Sequence, residues 1–324
     1  LIAVAKDLLV YITVLAAIII IPAELGGYGK VFASVPPAQL LLPKVPDHSL
    51  GAGFGYITLA LGSLLALFLY PHSVTGILSS SSRHVIRRNA ILLPAYSVAL
   101  ALIALLGYMA VASGVNRMPE YAAGFKSFGN NFAVPALFLH MFPHWFAGLA
   151  FAAIAIGAMM PASIMAIACG NLFTRNIYKE FIAPDCAPQT EARMAKIVAF
   201  AAKLGALFFV LELQTTYAIQ LQLLGGIWIC QTVPSVLLAL YVRLDPRALL
   251  AGWASGVVLG TWMVAQLGFK ASVYPLHILG WTIPCYAAVS ALLVNLAVSI
   301  GVTLVLRAMG NAPVRDETVA ADYV

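Results

Sequence analysis

Apolar residues run almost without interruption through eight stretches of the chain, at approximately 3–22, 54–78, 90–113, 145–171, 194–212, 218–241, 247–267 and 285–306. A helix crosses the hydrocarbon core of a bilayer, about 30 Å thick, with roughly 20 apolar residues, and each stretch is near that length. None shows the period-2 alternation of a transmembrane barrel strand. Inside lipid a segment must satisfy its own backbone N–H and C=O groups, which favours the helix. The pattern therefore predicts an all-α integral membrane fold, with eight transmembrane helices within residues 1–310 and a short polar tail at 311–324.

The polar positions supply an orientation. Lys6, Arg83, Arg87, Arg88, Arg175, Lys179, Arg193, Lys196, Arg243, Arg247, Arg307 and Arg315 fall at every second boundary, whereas the opposite boundaries hold Lys30, Lys44, Arg117, Lys126 and Lys270. Lys203 lies within the fifth span and is expected to snorkel towards the basic side. Basic loops face the cytoplasm, so both ends of the chain are expected there, in a cell (inner) membrane. Composition agrees: 62% of residues are hydrophobic and 9% charged, against about 45–50% and 25% in soluble domains. That excludes a soluble enzyme, a disordered regulator and a nucleic-acid-binding domain. Cys169, Cys186, Cys230 and Cys285 are too widely spaced for a C-x-x-C motif, and neither a disulfide framework nor a zinc site is indicated. No basic region precedes the first apolar run, so no signal peptide is expected, and the start at Leu1 reads as a cut.

Long outer loops are predicted at 23–53 and 114–144, rich in Gly, Pro and aromatic residues. Phe132 to Phe142 reads as a short apolar helix, either a lid or an interfacial anchor. Residues 173–193 read as a polar cytoplasmic loop. Within the spans, Gly and Pro mark irregular backbone. Pro71, in Tyr70-Pro71-His72, lacks an N–H and clashes with the carbonyl four residues back, so the second span should bend or break near Leu67. Such a break either exposes backbone groups that bind a solute or is a plain kink. In the fourth span Pro161 frees the carbonyl of Gly157, which is either a cation ligand or part of a small-residue packing face. The sixth span carries Gln220, Gln222, Gly225-Gly226, Gln231 and Pro234; the seventh carries Gly252, Gly256 and Gly260, read as a helix-packing ridge. Asp7, Glu212 and His72 are the ionisable groups near the spans. His140, His144 and His277 fall in outer loops. No paired acids, metal ligands or activated nucleophile converge, so no enzyme activity, organic cofactor or metal centre is expected.

Several of these residues together resemble the sodium/solute symporter family. The run Asn171-Leu172-Phe173-Thr174-Arg175-Asn176-Ile177-Tyr178-Lys179 is similar to the end of a key helix in that family. Leu224-Gly225-Gly226 through Pro234, Leu240-Tyr241, Arg243, Ala251-Gly252, Gly256 and Gly260 resemble its C-terminal signature, and Tyr70-Pro71-His72 resembles its Pro-His element. The subgroup that fits is the monocarboxylate permease type.

The resemblance implies a LeuT-type fold, two five-helix inverted repeats around a midplane site. The first span would be the last helix of repeat one, spans two to six all of repeat two, and spans seven and eight trailing helices, an N-terminally incomplete transporter. It implies alternating-access symport of a small carboxylate such as lactate or pyruvate. Gly62 and Ser63 would border the substrate pocket, Gln222 would offer its amide, and the half-helix beginning after Tyr70 would direct positive dipole at the carboxylate. Gly157 would offer a carbonyl to the cation, while Met160 and Pro161 stand where the family places two hydroxyl residues. Neither is a hard oxygen ligand, so sodium and proton both remain open as coupling ion. The expected partners are the carboxylate and the lipid bilayer; nothing sets the oligomeric state. A second reading is a non-transporting membrane protein, a sensor module or an inactive symporter fragment. The tail from Asn311 to Val324 is short for a sensor's signalling extension.

Overall fold

A computed structural model describes residues 2–212 and 218–310. The expected tail at 311–324 lies outside the described residues, as does the side chain of Glu212. The principal helices are α1 (Ile2–Glu24), α2 (Gly51–Leu69), α3 (Pro71–Leu78), α4 (Arg83–Ser113), α5 (Ala133–Met141), α6 (His144–Phe173), α7 (Pro188–Glu212), α8 (Ala218–Ile229), α9 (Pro246–Gln266) and α10 (Ala287–Ala308). Strands β1 (Val273–Ile278) and β2 (Trp281–Tyr286) form an antiparallel hairpin.

Among the described residues seven helical stretches are long and apolar enough to cross a membrane: Val4–Glu24, Gly51–Leu69, Arg83–Ser113, His144–Ile182, Ile219–Leu240, Pro246–Gln266 and Ala287–Ala308. They coincide with seven of the eight expected spans. The remaining one, at 194–212, falls on α7, a continuous helix that ends where the described residues break off. Many large apolar side chains on these helices are exposed, among them Leu64, Phe68, Ile91, Val98, Ile154 and Leu293. Such side chains are stable against lipid and costly against water.

The chain divides into two compact units, Leu1–Leu41 with Val74–Thr215, and Leu42–Ser73 with Thr216–Val324. In the first, α1 packs on α4 and α6, α5 on α4, and α7 along α6. Ile21 of α1, Met109 of α4, Leu137 of α5 and Ala150 of α6 meet in its buried core, with Val31 and Val115. Phe138, Phe142 and Phe146 stack in sequence, with ring centroids 5.5 and 4.6 Å apart, and carry the chain round Pro143 into α6. The short apolar helix expected at 132–142 is thus present as α5. Gly114, in the left-handed region at φ 72°, closes α4, a conformation that glycine adopts without a Cβ penalty.

The polar stretch expected to be a loop at 173–193 is mostly helical. α6 continues into π-type turns over Thr174–Ile182, and only a short linker precedes α7. Two ion pairs hold the segment to α7: Lys179 Nζ lies 3.1 Å and Arg175 Nε 3.5 Å from the two carboxylate oxygens of Glu191. Polarity alone predicted a loop; the charges are instead matched across two helices. Nearby, Gly170 faces the carbonyl of Ala195 so closely that a Cβ would overlap it.

In the second unit α9 and α10 pack along the Gly252, Gly256 and Gly260 face. A Cβ at Gly256 would overlap the Gln231 amide oxygen, and one at Gly252 the Ser299 hydroxyl. The missing side chains leave room for a buried polar ladder. Asn295 Nδ2 donates to the Gln231 carbonyl at 2.8 Å, Ser299 Oγ to Asn295 Oδ1 at 3.2 Å, and Thr303 Oγ1 to the Ser299 carbonyl at 2.7 Å. Gln231 Nε2 donates to the carbonyls of Ile227 and Ala288. Each is nearly or wholly buried, and inside a bundle such groups need these partners.

The hairpin corrects an expectation of helix and loop alone. Its two-residue connection places Leu279 at φ 51° and Gly280 at φ 81°, the paired positive values that match strand twist in tight hairpins. Tyr286 therefore closes a strand, and α10 begins at Ala287 rather than 285.

Candidate functional site

The second unit contains the helix break. α2 ends at Leu69, Tyr70 is extended at φ −59° and ψ 132°, and α3 starts with Pro71. Proline is well suited to a first helical turn, where its missing N–H has no partner to lose. The Tyr70 N–H still closes α2 on the Ala66 carbonyl at 3.0 Å, and Ser73 N–H bonds the Tyr70 carbonyl at 2.9 Å. The interruption lies three residues beyond Leu67 and yields two helices rather than one bent helix.

Two tyrosines join this break to α8. The Tyr70 hydroxyl donates to the Gln222 carbonyl at 3.3 Å, and the buried Tyr286 donates to the adjacent Leu223 carbonyl. Gly226 makes the approach of Tyr286 possible; a Cβ there would lie 2.6 Å from the Tyr286 hydroxyl. The Tyr286 N–H bonds Thr58 Oγ1 on α2 at 2.9 Å. Its ring lies across Gly62, where a Cβ would overlap it. The Cys230 thiol donates to the Gly62 carbonyl at 3.2 Å. His72 stacks on the Tyr70 ring with centroids 5.4 Å apart.

These contacts redistribute the residues named from sequence. Gly62 is buried, and its glycine character serves the Tyr286 ring. Ser63, the next residue, is exposed on another face of α2. Gln222 engages the break through its backbone carbonyl, and its side chain is exposed. Tyr286 and Cys230 were not selected by sequence reasoning. A lone Tyr at the end of a strand and a lone Cys carry no spacing signal; the aromatic sandwiched between Pro284-Cys285 and an alanine-rich helix was the available hint.

Gly157, Met160 and Pro161 belong to the first unit. α6 runs through Pro161 without interruption, so Gly157 loses the N–H partner four residues on while the helix continues. Gly157 and Pro161 line a cavity of about 110 Å³ together with Asp7 and Lys6 of α1 and Tyr96 of α4. Asp7 and Lys6 form an ion pair there at 2.8 Å. Gly157, whose carbonyl lacks its helical N–H partner, and the Lys6–Asp7 pair thus line one small space. Met160 is not among the residues that line it.

Among the described residues, seven helical stretches long and apolar enough to cross a membrane, one of them followed by a proline-led break, define a multi-pass membrane protein. The chain belongs to the sodium:solute symporter family, which it matches over residues 5–260. It is 46% identical over 322 residues to a "Monocarboxylate transport permease protein" of Rhizobium johnstonii, an alignment covering 97% of this chain and 62% of that relative. Two Bacillus subtilis proteins are more distant. "Uncharacterized symporter YodF" is 28% identical, over 78% of this chain and 50% of its own length, and "Uncharacterized symporter YhjB" 24%, over 96% and 62%. The chain therefore spans between half and about three-fifths of the length of these relatives. They are symporters and a permease by name, in keeping with a transporter rather than an enzyme.

Proposed function

We propose that this chain is the larger part of a secondary transporter that carries a small monocarboxylate, such as lactate or pyruvate, by alternating access with a coupling cation. The observation that supports this most directly is the break at Tyr70, fastened by its own hydroxyl to α8, in a chain 46% identical to a monocarboxylate permease. In transporters of this kind, interrupted helices supply backbone groups and half-helix dipoles at the solute. The N-terminal turn of α3 would face the carboxylate, Gly62 and Ser63 would border the solute, and Gln222 would reach it with its exposed amide. α7 would act as the eighth span, in a LeuT-type arrangement with both ends cytoplasmic.

The cation would sit by Gly157. Its carbonyl and the Asp7 carboxylate offer oxygen, whereas Met160 and Pro161 offer none, so the site is poor in ligands by the standard of hard cations. A proton carried on Asp7 and a sodium ion held by the two oxygens are separable experimentally. Labelled lactate uptake would be measured in cells making the complete natural protein, with sodium or choline at fixed pH. Uptake is expected, with pyruvate competing; its absence for every monocarboxylate tried overturns the substrate reading. Loss of uptake in choline identifies sodium, and persistence with acid stimulation identifies the proton.

A further inference from the structure

Within the first unit α7 presents two unlike faces. The one turned to α6 sets Ala195 against Gly170 and carries Glu191, whose two oxygens are taken by Arg175 and Lys179. On the opposite face Arg193, Lys196, Phe200, Lys203, Leu204 and Leu207 recur at steps of three and four, and all six are exposed. Residues so spaced share one side of a helix. Among the described residues none of the three cations is in an ion pair, and no acidic residue occurs between Glu191 and Glu212. Lys203 stands ten residues beyond Arg193, about 15 Å along the helix, with Phe200 and Leu207 a turn to either side. An ammonium held at that depth in hydrocarbon is costly. Helical side chains lean towards the N-terminus, so the Lys203 stem leads its ammonium back towards Lys196 and the basic end. Positive charge thus gathers at that end of the face, and Phe200, Leu204 and Leu207 continue it as an apolar strip. Such a surface complements a molecule with an anionic head and an apolar body.

We propose that this face of α7 binds an anionic diacyl phospholipid of the inner leaflet. Its phosphate lies between Lys196 and Lys203, its headgroup borders Arg193, and an acyl chain runs along Phe200, Leu204 and Leu207. The proposal rests on the reading of α7 as the eighth span with its basic end cytoplasmic. A zwitterionic lipid would cover the apolar strip equally well, but its own cation offsets its phosphate, so the unpaired lysines select for net negative charge.

The complete natural protein is placed in liposomes with a bimane fluorophore on Leu207→Cys, in a background where the accessible cysteines, Cys169 and Cys186 among them, are serine. Brominated acyl chains quench the fluorophore on contact, and a minor fraction of the lipid is brominated, either as phosphatidylglycerol or as phosphatidylcholine. Phosphatidylglycerol is expected to be enriched at the label about fivefold over phosphatidylcholine. Lys196→Gln with Lys203→Gln should bring the two lipids to equal quenching. Lys196→Arg with Lys203→Arg should keep the preference, which shows that charge is responsible; loss in both pairs overturns the proposal. If Leu207→Cys does not fold, Leu204→Cys reports from the same strip. Equal quenching by the two lipids with both lysines present, or a preference that survives the glutamine pair, overturns the site and leaves the eighth span standing. Quenching by aqueous iodide, with none by either lipid, removes the eighth-span reading and the site with it. Quenching by none of the three shows that protein covers the face, and overturns the proposal as well.

Discussion

Gly62 shows how one position can satisfy a sequence pattern for a different reason than the pattern implies. A glycine before a helix break reads as a place where solute approaches backbone, yet here its empty side receives the Tyr286 ring. Tyr286 is fully buried and cannot step aside, so Gly62→Ala is expected to destabilise the protein by about 1–3 kcal/mol, as overpacking does. A thermal melt in detergent would show it, and an unchanged Tm would mean that the ring yields freely. Asn295 makes a complementary case. It bonds Gln231 and accepts from Ser299 in a buried ladder, so Asn295→Ala strands partners on both sides. About 1–3 kcal/mol per stranded group is expected, with a lower Tm and no change in which solute is carried.

At the scale of elements, the division of one apolar run into α2 and α3 matters most. The sequence pattern reads as one span from residue 54 to 78, and what divides it is the backbone at Tyr70. Replacing Pro71 with Ala restores the missing N–H and removes the steric bar, so α2 is expected to extend through Tyr70. The Tyr70 hydroxyl would then leave the Gln222 carbonyl. On the proposed transport reading, Pro71→Ala in the complete protein should reach the membrane in normal amount and take up lactate at a small fraction of the unsubstituted rate; full uptake would show that the break is dispensable. The segment at 173–182 went the other way, from expected loop to π-helix. Its sequence is polar because Arg175 and Lys179 pair with Glu191 twelve or more residues on. No local rule reveals such a pairing.

For the whole molecule, the charge pattern yields a prediction about sidedness. Cys186 lies in the linker between Ile182 and Pro188, on the basic side, and is partly exposed; Cys230 and Cys285 are buried. A membrane-impermeant maleimide applied to intact cells is expected to spare Cys186, and to modify it in inside-out vesicles. The opposite result would invert the proposed orientation. Cys169→Ser protein is the suitable background, since Cys169 is exposed on α6.

The sequence by itself determined seven of the expected spans, the family and the position of the helix break within a few residues. Hydrophobic length and the chemistry of proline are local properties, readable wherever they occur. It also marked Gly252, Gly256 and Gly260 as a packing face, because small residues at every fourth position line up on any helix. Tertiary structure decided which groups those features serve. Tyr286 crossing Gly62, two hydroxyls meeting consecutive carbonyls of α8, and Asp7 sharing a cavity with Gly157 all join residues far apart in the chain. Spacing encodes what a helix presents on its own surface; which surface then meets another is fixed by the packing of the folded chain.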